Sequence, residues 1–275
     1  LERILRSELC IYDLAAEKVR VVLAQDGLIE APNWHGAGDL FVNGEGRLWR
    51  LPAGSARLEA VDTGFAVRLN NDHGLSPDGR WIAVTDKVET GRAAIYRLPV
   101  AGGVPERMVE AVPSWWHGWS PDGRAICYAG ARGAGVTVFA KPLEGAEVCL
   151  ADGFDHADGP DFSADGGWVW FNGEREGAVN LWRVRSDGTD LQRMTAERTV
   201  DWFPHPSPCG AHVLYLAYPE GTKGHPFGME VSLRLMPQGG GESREVVRLW
   251  GGQGTINVPC WAPDGRAFAF MRFAA

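Results

Sequence analysis

Apolar and polar residues alternate along this chain in short bursts, not at helical spacing. "WIAVTD" (81–86), "AICYAG" (125–130) and "VWFNGE" (169–174) each read as a strand with one buried face. A further burst follows each of them, as in "AAIYRLPV" (93–100), "VTVFAKPL" (136–143) and "NLWRVRS" (180–186). Weaker ones come next, "ERMVEA" and "AEVCLA". Uninterrupted helical patterns are scarce. The pattern predicts an all-β chain of many short antiparallel strands.

The bursts are punctuated by one motif. It recurs as "LSPDGRWIAV" from Leu75, "WSPDGRAICY" from Trp119, "FSADGGWVWF" from Phe162, "PSPCGAHVLY" from Pro206 and "WAPDGRAFAF" from Trp261. A degenerate copy, "WHGAGDLFVN", starts at Trp34. The Ser place falls at 35, 76, 120, 163, 207 and 262, so consecutive copies lie 41 to 55 residues apart. Ser-Pro-Asp-Gly suits a tight turn, because Pro presets its angle, Asp bonds the local backbone and Gly accepts positive φ. Six copies at this period predict a six-bladed β-propeller, one four-stranded sheet per blade. The residue before the motif is Trp, Leu or Phe in most copies and reads as an inward anchor. Two strands without a motif, "ELCIYDL" and "KVRVVLA", precede the first copy, and "AFAFMRFAA" follows the last. Strands within about residues 5–24 therefore complete the blade begun by about 256–275, and residues 1–275 form a single propeller domain.

The repeated "WSPDGR" with "IYRLPV" resembles the TolB-like, or WD40-like (PD40), propeller family over essentially the full chain. The runs "DTGFAVRLNNDHGLSPDGR", "DWFPHPSP" and "GGQGTINVP" resemble a stand-alone subgroup of that family. A more distant resemblance is to oligogalacturonate lyase, a propeller enzyme whose His-rich segments before such turns bind a divalent metal. That likeness implies metal-assisted chemistry on a carbohydrate, but a fold by itself fixes no activity.

Composition narrows the partners. A net charge of −8 without any basic block argues against nucleic acid. No apolar run of about 18 residues offers a membrane span. The 5 cysteines show no CxxC pairs and read as free thiols in a reducing compartment. A cytoplasmic location is favoured, and a periplasmic one would follow if an export signal were removed ahead of Leu1. A closed ring needs no partner, so a monomer is expected.

Candidate chemistry lies just upstream of the turns, in segments that converge on one mouth of the channel. They are "NNDHG" (70–74), "SWWHG" (114–118), "DHADGPD" (155–161), "DWFPHP" (201–206) and "GQGTIN" (252–257). An insertion in the fifth blade, "YPEGTKGHPFGME", overhangs the same face with Lys223 and His225. His73, His117, His156, His205 and His225, five of 7 histidines, map there. Such segments are roughly a quarter of a propeller, so chance would bring about two. One histidine before an inner strand is ordinarily a hydrogen-bonding fixture, whereas several on one axis point to a site.

Imidazoles with a carboxylate suit Mn, Fe or Zn, while Ca wants more oxygens. His73, His117, Asp158, Asp161 and His205 are the expected ligands of one divalent ion. His117, His225 and Lys223 are the candidate catalytic groups, with His225 or Lys223 as base. Asn71, Asp72, Trp115, Trp116, Trp202, Arg132, Arg175, Gln253 and Asn257 are the candidate ligand contacts; Arg132 and Arg175 also match a common position of the repeat that suits a structural tie. A metal-free version pairs Asp158 or Asp161 with Asp72 or Asp201 on a glycoside. No nucleotide-cofactor fingerprint, GxSxG or HExxH is present. A small molecule or oligosaccharide is the favoured ligand. The competing reading is an interaction propeller that receives a partner peptide at the same mouth.

Overall fold

The computed structural model describes residues 5–133 and 135–274. They form six antiparallel sheets set around an axis, with no helix among them. Among the described residues no helix is long and apolar enough to cross a membrane.

From the axis outwards, blade one comprises Glu30–Trp34, Leu40–Gly44, Arg47–Leu51 and Glu59–Ala60. Blade two follows with Leu69–Leu75, Trp81–Asp86, Ala94–Pro99 and Glu106–Arg107. Blades three and four begin at the axis with Ser114–Trp119 and His156–Phe162, and blade five with Val200–Pro206. The weak outer bursts yield only two-residue strands, Glu106–Arg107 and Val148–Cys149. In blade six, Arg6–Asp13 lies between Lys18–Asp26 and Ala267–Ala274, and Trp261 bridges to Phe268. The N-terminal strands thus close the last blade, as the sequence predicts.

The punctuating motifs behave as their chemistry demands. The hydroxyls of Ser76, Ser120 and Ser163 each donate to the Asp two residues on, at 2.6 Å. The anchors Trp119, Phe162 and Trp261 are buried, Leu75 is half-buried, and the two tryptophans tie neighbouring blades together. The indole N–H of Trp119 donates to the Gly74 carbonyl of blade two at 3.1 Å, and that of Trp261 to the His205 carbonyl of blade five at 2.8 Å. Aromatic and aliphatic side chains fill the spaces between sheets, so the core is a ring of inter-blade clusters.

The innermost strands are not regular. In blades one to five the pairing slips once on the axial strand, between Glu30 and Asn33, Leu69 and His73, Trp116 and Gly118, Asp158 and Asp161, and Trp202 and His205. Each slip is a β-bulge that places extra residues on the axial strand, two in blade two and one in each of the others. Ala31, Gly159 and Phe203 take positive φ there, at 54°, 59° and 54°. A bulge re-aims side chains, and all five lie on the innermost strands that line the channel.

Candidate functional site

The residues of interest sit on those bulges. His117 is itself the extra residue of blade three, unpaired between Trp116 and Gly118. Asp158 lies at the start of blade four's bulge, immediately before Gly159. A Cβ at Gly159 would come within 2.6 Å of Asn172 Oδ1 and 2.9 Å of the Phe203 ring, so close approach and φ both demand glycine. Glycine here lets blade four turn Asp158 towards blade three.

His117 Nε2 and Asp158 Oδ1 are 3.0 Å apart. On the other side of the ring, Nδ1 stands 3.3 Å from the Asn257 carbonyl of blade six. A carbonyl only accepts, so Nδ1 carries a proton and Nε2 faces the carboxylate. Burial disfavours the charged ring, but the Asp158 hydrogen bond, aided by the Asp158 and Asp72 charges, raises its pKa above the ordinary value. Burial likewise opposes ionisation of Asp158, yet His117 and His156 hold it well below the usual carboxylate range. The pair is an imidazolium–carboxylate.

Asp158 Oδ2 is left open. His156 Nε2 lies 3.8 Å from it and His225 Nε2 3.9 Å, both beyond hydrogen-bonding reach. His156 Nε2 is buried without a partner. His225 reaches the axis because the Pro219–Pro226 connection of blade five folds over the mouth. The Tyr218 hydroxyl and the Gln253 N–H both donate to the Pro226 carbonyl, at 3.1 and 3.2 Å. The His225 ring packs on Trp202 and Phe203, with centroids 4.4 and 5.2 Å apart, and Nδ1 hydrogen-bonds Gln253 Oε1. An amide oxygen accepts, so the proton is on Nδ1 and Nε2 presents a lone pair. Burial lowers the pKa of His225, whereas the adjoining Asp158 raises that of His156. Two imidazoles flanking one oxygen are therefore biased to opposite protonation states.

These groups surround a pocket of about 280 Å³ at the mouth. Its polar lining includes Asn70, Asn71, Asp72, Gln253 and Asn257, and its apolar lining Trp115, Val136 and Phe203. Burial, reinforced by the charges of Asp158 and Glu30, pushes Asp72 up to about 6. Asn71 Nδ2 donates to Glu30 Oε1 at 3.3 Å, and Asn70 Nδ2 hydrogen-bonds Asp72 Oδ2. The mouth is dense in amides and carboxylates.

The expected metal set is not gathered at one point. Asp161 and His205 lie deeper, where Asp161 Oδ2 meets His205 Nδ1 at 3.0 Å and His205 Nε2 meets the Ile256 carbonyl at 2.7 Å. Asp161 Oδ1 accepts from the Phe162 N–H, so every site of this pair is committed. His73 is in regular register opposite Val84, wholly buried, outside the pocket lining and without a partner for either nitrogen. Burial lowers it to about 3. Among the described residues no group of three or more His, Cys, Asp or Glu side chains is disposed to hold a metal ion. His73, His117, Asp158, Asp161 and His205 do not fit a shared cation, because the imidazole nitrogens nearest the carboxylates are already hydrogen-bonded and His73 stands apart.

Other expected contacts also fall elsewhere. Trp116 is buried against blade two, its ring filling the space where a Cβ on Gly74 would stand. Trp202 is buried and backs His225 without lining the cavity. Arg132 is tied to Glu147, Ser114 and the Pro113 carbonyl and lies over the Phe139 ring. Arg175 covers Phe154 and Trp182. Lys223 is exposed on the overhanging loop, away from the lining. Asn71, Asp72, Trp115, His117, Asp158, His225, Gln253 and Asn257 do line the pocket. Asn70, His156 and Phe203 join them without having been singled out as contacts. His156 had a signal, its place in "DHADGPD", whereas the bulge that turns Phe203 has none.

The opposite, turn-bearing face opens into a larger cavity of about 600 Å³, walled by Trp34, Trp119, Trp261 and several prolines.

Known proteins match the whole chain. No family model matches it. An uncharacterised protein of Agrobacterium fabrum is 46% identical over 272 residues, covering 98% of this chain and 93% of the relative. A solved structure from Agrobacterium tumefaciens named for TolB is 45% identical, with a TM-score of 0.96, over 98% of this chain and 99% of the other. Oligogalacturonate lyase from Vibrio parahaemolyticus is 12% identical with a TM-score of 0.57, over 94% of this chain and 70% of the lyase, a likeness of fold alone.

Proposed function

The chain belongs to the TolB-like family of six-bladed β-propellers, and we propose that its axial pocket binds a small carbohydrate and transfers protons at one of its C–O bonds. One observation carries this reading: the open Oδ2 of Asp158, flanked by imidazoles at 3.8 and 3.9 Å. We place one ligand oxygen there against Asp158 Oδ2 and His225 Nε2, with His156 beside them. Trp115 offers a face for the C–H side of a sugar ring, and the surrounding amides suit vicinal hydroxyls.

The roles follow from the environments. The bond is broken by water: His225, held neutral by burial and fixed by Gln253, takes a proton through Nε2 from a water molecule whose oxygen bonds to the sugar carbon as the C–O bond breaks. His156, favoured in its charged form by Asp158, returns one to the departing oxygen. His117 does not touch the ligand; it holds the Asp158 carboxylate in place.

Isothermal titration calorimetry across a saccharide panel tests the reading. Saturable binding to the wild-type protein is expected, with at least a tenfold loss in Asp158→Asn. Absence of binding by every saccharide would sink it.

A second reading, docking of a partner peptide, draws support from the Trp- and Pro-walled cavity on the turn face. A peptide ligand whose affinity falls on Trp34→Ala and not on Asp158→Asn would favour it.

A further inference from the structure

The charge of the pocket discriminates between sugars. Asp72 and Asp158 line it and Glu30 stands behind Asn71, yet none of the described lining residues is Lys or Arg. Of the imidazoles, His117 is committed to Asp158 and the Asn257 carbonyl, and His225 presents a lone pair. Only His156 is left to meet a negative charge.

The acceptors, by contrast, are open. Asp72 is 5% exposed, and Asn70 hydrogen-bonds only its Oδ2. Its Oδ1 takes no hydrogen bond from any described residue and is not sealed off, so it faces the cavity. Asp158 Oδ2 is likewise unclaimed within hydrogen-bonding distance. A buried carboxylate oxygen with no donor is costly, and a ligand that brings donors and positive charge relieves that cost. Both carboxylates line the one pocket of about 280 Å³, so a single cation held there faces both. Trp115 adds a ring face that favours a cation.

We propose that the pocket is selective for an amino sugar, its ammonium seated between Asp72 Oδ1 and Asp158 Oδ2, and that it rejects uronates. An ammonium has three donors, enough for both carboxylates and one amide oxygen such as Asn71 Oδ1. A uronate carboxylate would face Asp72 with no fixed cation to offset it. This inference rests on the reading of the pocket as a carbohydrate site.

The test is calorimetric titration at neutral pH with a hexosamine, the parent hexose and the matching uronate. The hexosamine is expected to bind at least tenfold more tightly than the hexose, and the uronate more weakly than either. In Asp72→Asn, whose side chain keeps the shape, the hexosamine-to-hexose affinity ratio should fall to about one. A uronate or hexose that binds as tightly as the hexosamine overturns the selectivity alone, as does a ratio unchanged in Asp72→Asn. If folded wild-type protein binds none of the three, the carbohydrate reading falls and takes this inference with it. The wild-type ranking decides the matter even if the variant fails to fold.

Discussion

His117 with Asp158, and His205 with Asp161, are built from the same parts at two depths of one channel. Both carboxylates come from the axial strand of blade four, and both histidines lean on consecutive carbonyls of blade six, Asn257 and Ile256. They differ in what remains. Asp161 gives one oxygen to the Phe162 N–H and the other to His205, whose second nitrogen is also bonded. Asp158 keeps Oδ2 open to a cavity. Residue type does not separate a structural pair from a reactive one here; the count of unclaimed lone pairs does.

The contrast can be broken by mutation. His205→Ala leaves Asp161, buried at the wall of the turn-face cavity, without its imidazole partner, and a loss of about 3 kcal/mol in denaturant unfolding is expected. His117→Ala leaves Asp158 beside His156 and the cavity, so about 1 kcal/mol is expected, with saccharide affinity reduced at least tenfold. If His117→Ala proved the more destabilising of the two, the division into lock and site would be wrong.

Asp72 sharpens the comparison through pH. Its folded pKa of about 6 lies above the ordinary 3.8. Its stabilising contribution is therefore fully present below the unfolded value and lost as pH rises through about 6. Wild-type stability should gain about 1 kcal/mol relative to Asp72→Asn between pH 7 and pH 5. Parallel pH profiles for the two proteins, measured by urea unfolding, would refute an ionisable Asp72 at the mouth. The smallest effect is expected at Lys223, where Ala should leave saccharide affinity within twofold. A larger change would mean that the overhanging loop touches the ligand.

The fold was legible because its punctuation is chemical. Ser76, Asp78 and Gly79 make their turn from bonds among near neighbours, and such bonds recur wherever those residues recur. The anchors Trp119 and Trp261 announced the blade interfaces for the same reason. The site was legible only as a face. Counting back from the turns puts His73 and His117 at the same offset, three residues before Ser76 and Ser120, yet one is sealed away and the other lines the cavity. The bulges decide this, and their position depends on how neighbouring blades pack. Gly159 permits its conformation, but Phe203 adopts φ 54° with nothing in its side chain to ask for it. Trp116 is the same case in reverse, an aromatic beside a candidate histidine that finds its space over Gly74.

The two carbonyls that grip the histidines have a consequence for the order of assembly. Ile256 and Asn257 lie immediately before the closing segments of blade six, which also needs Arg6–Asp13 from the other end of the chain. A ribosome that has delivered blades one to five has already made every ionisable group of the pocket, but His117 and His205 still lack the partners that settle where their protons reside. The pocket becomes chemically defined only when the first and last strands of the propeller meet, so a chain truncated before residue 256 would carry the site's residues without its protonation pattern.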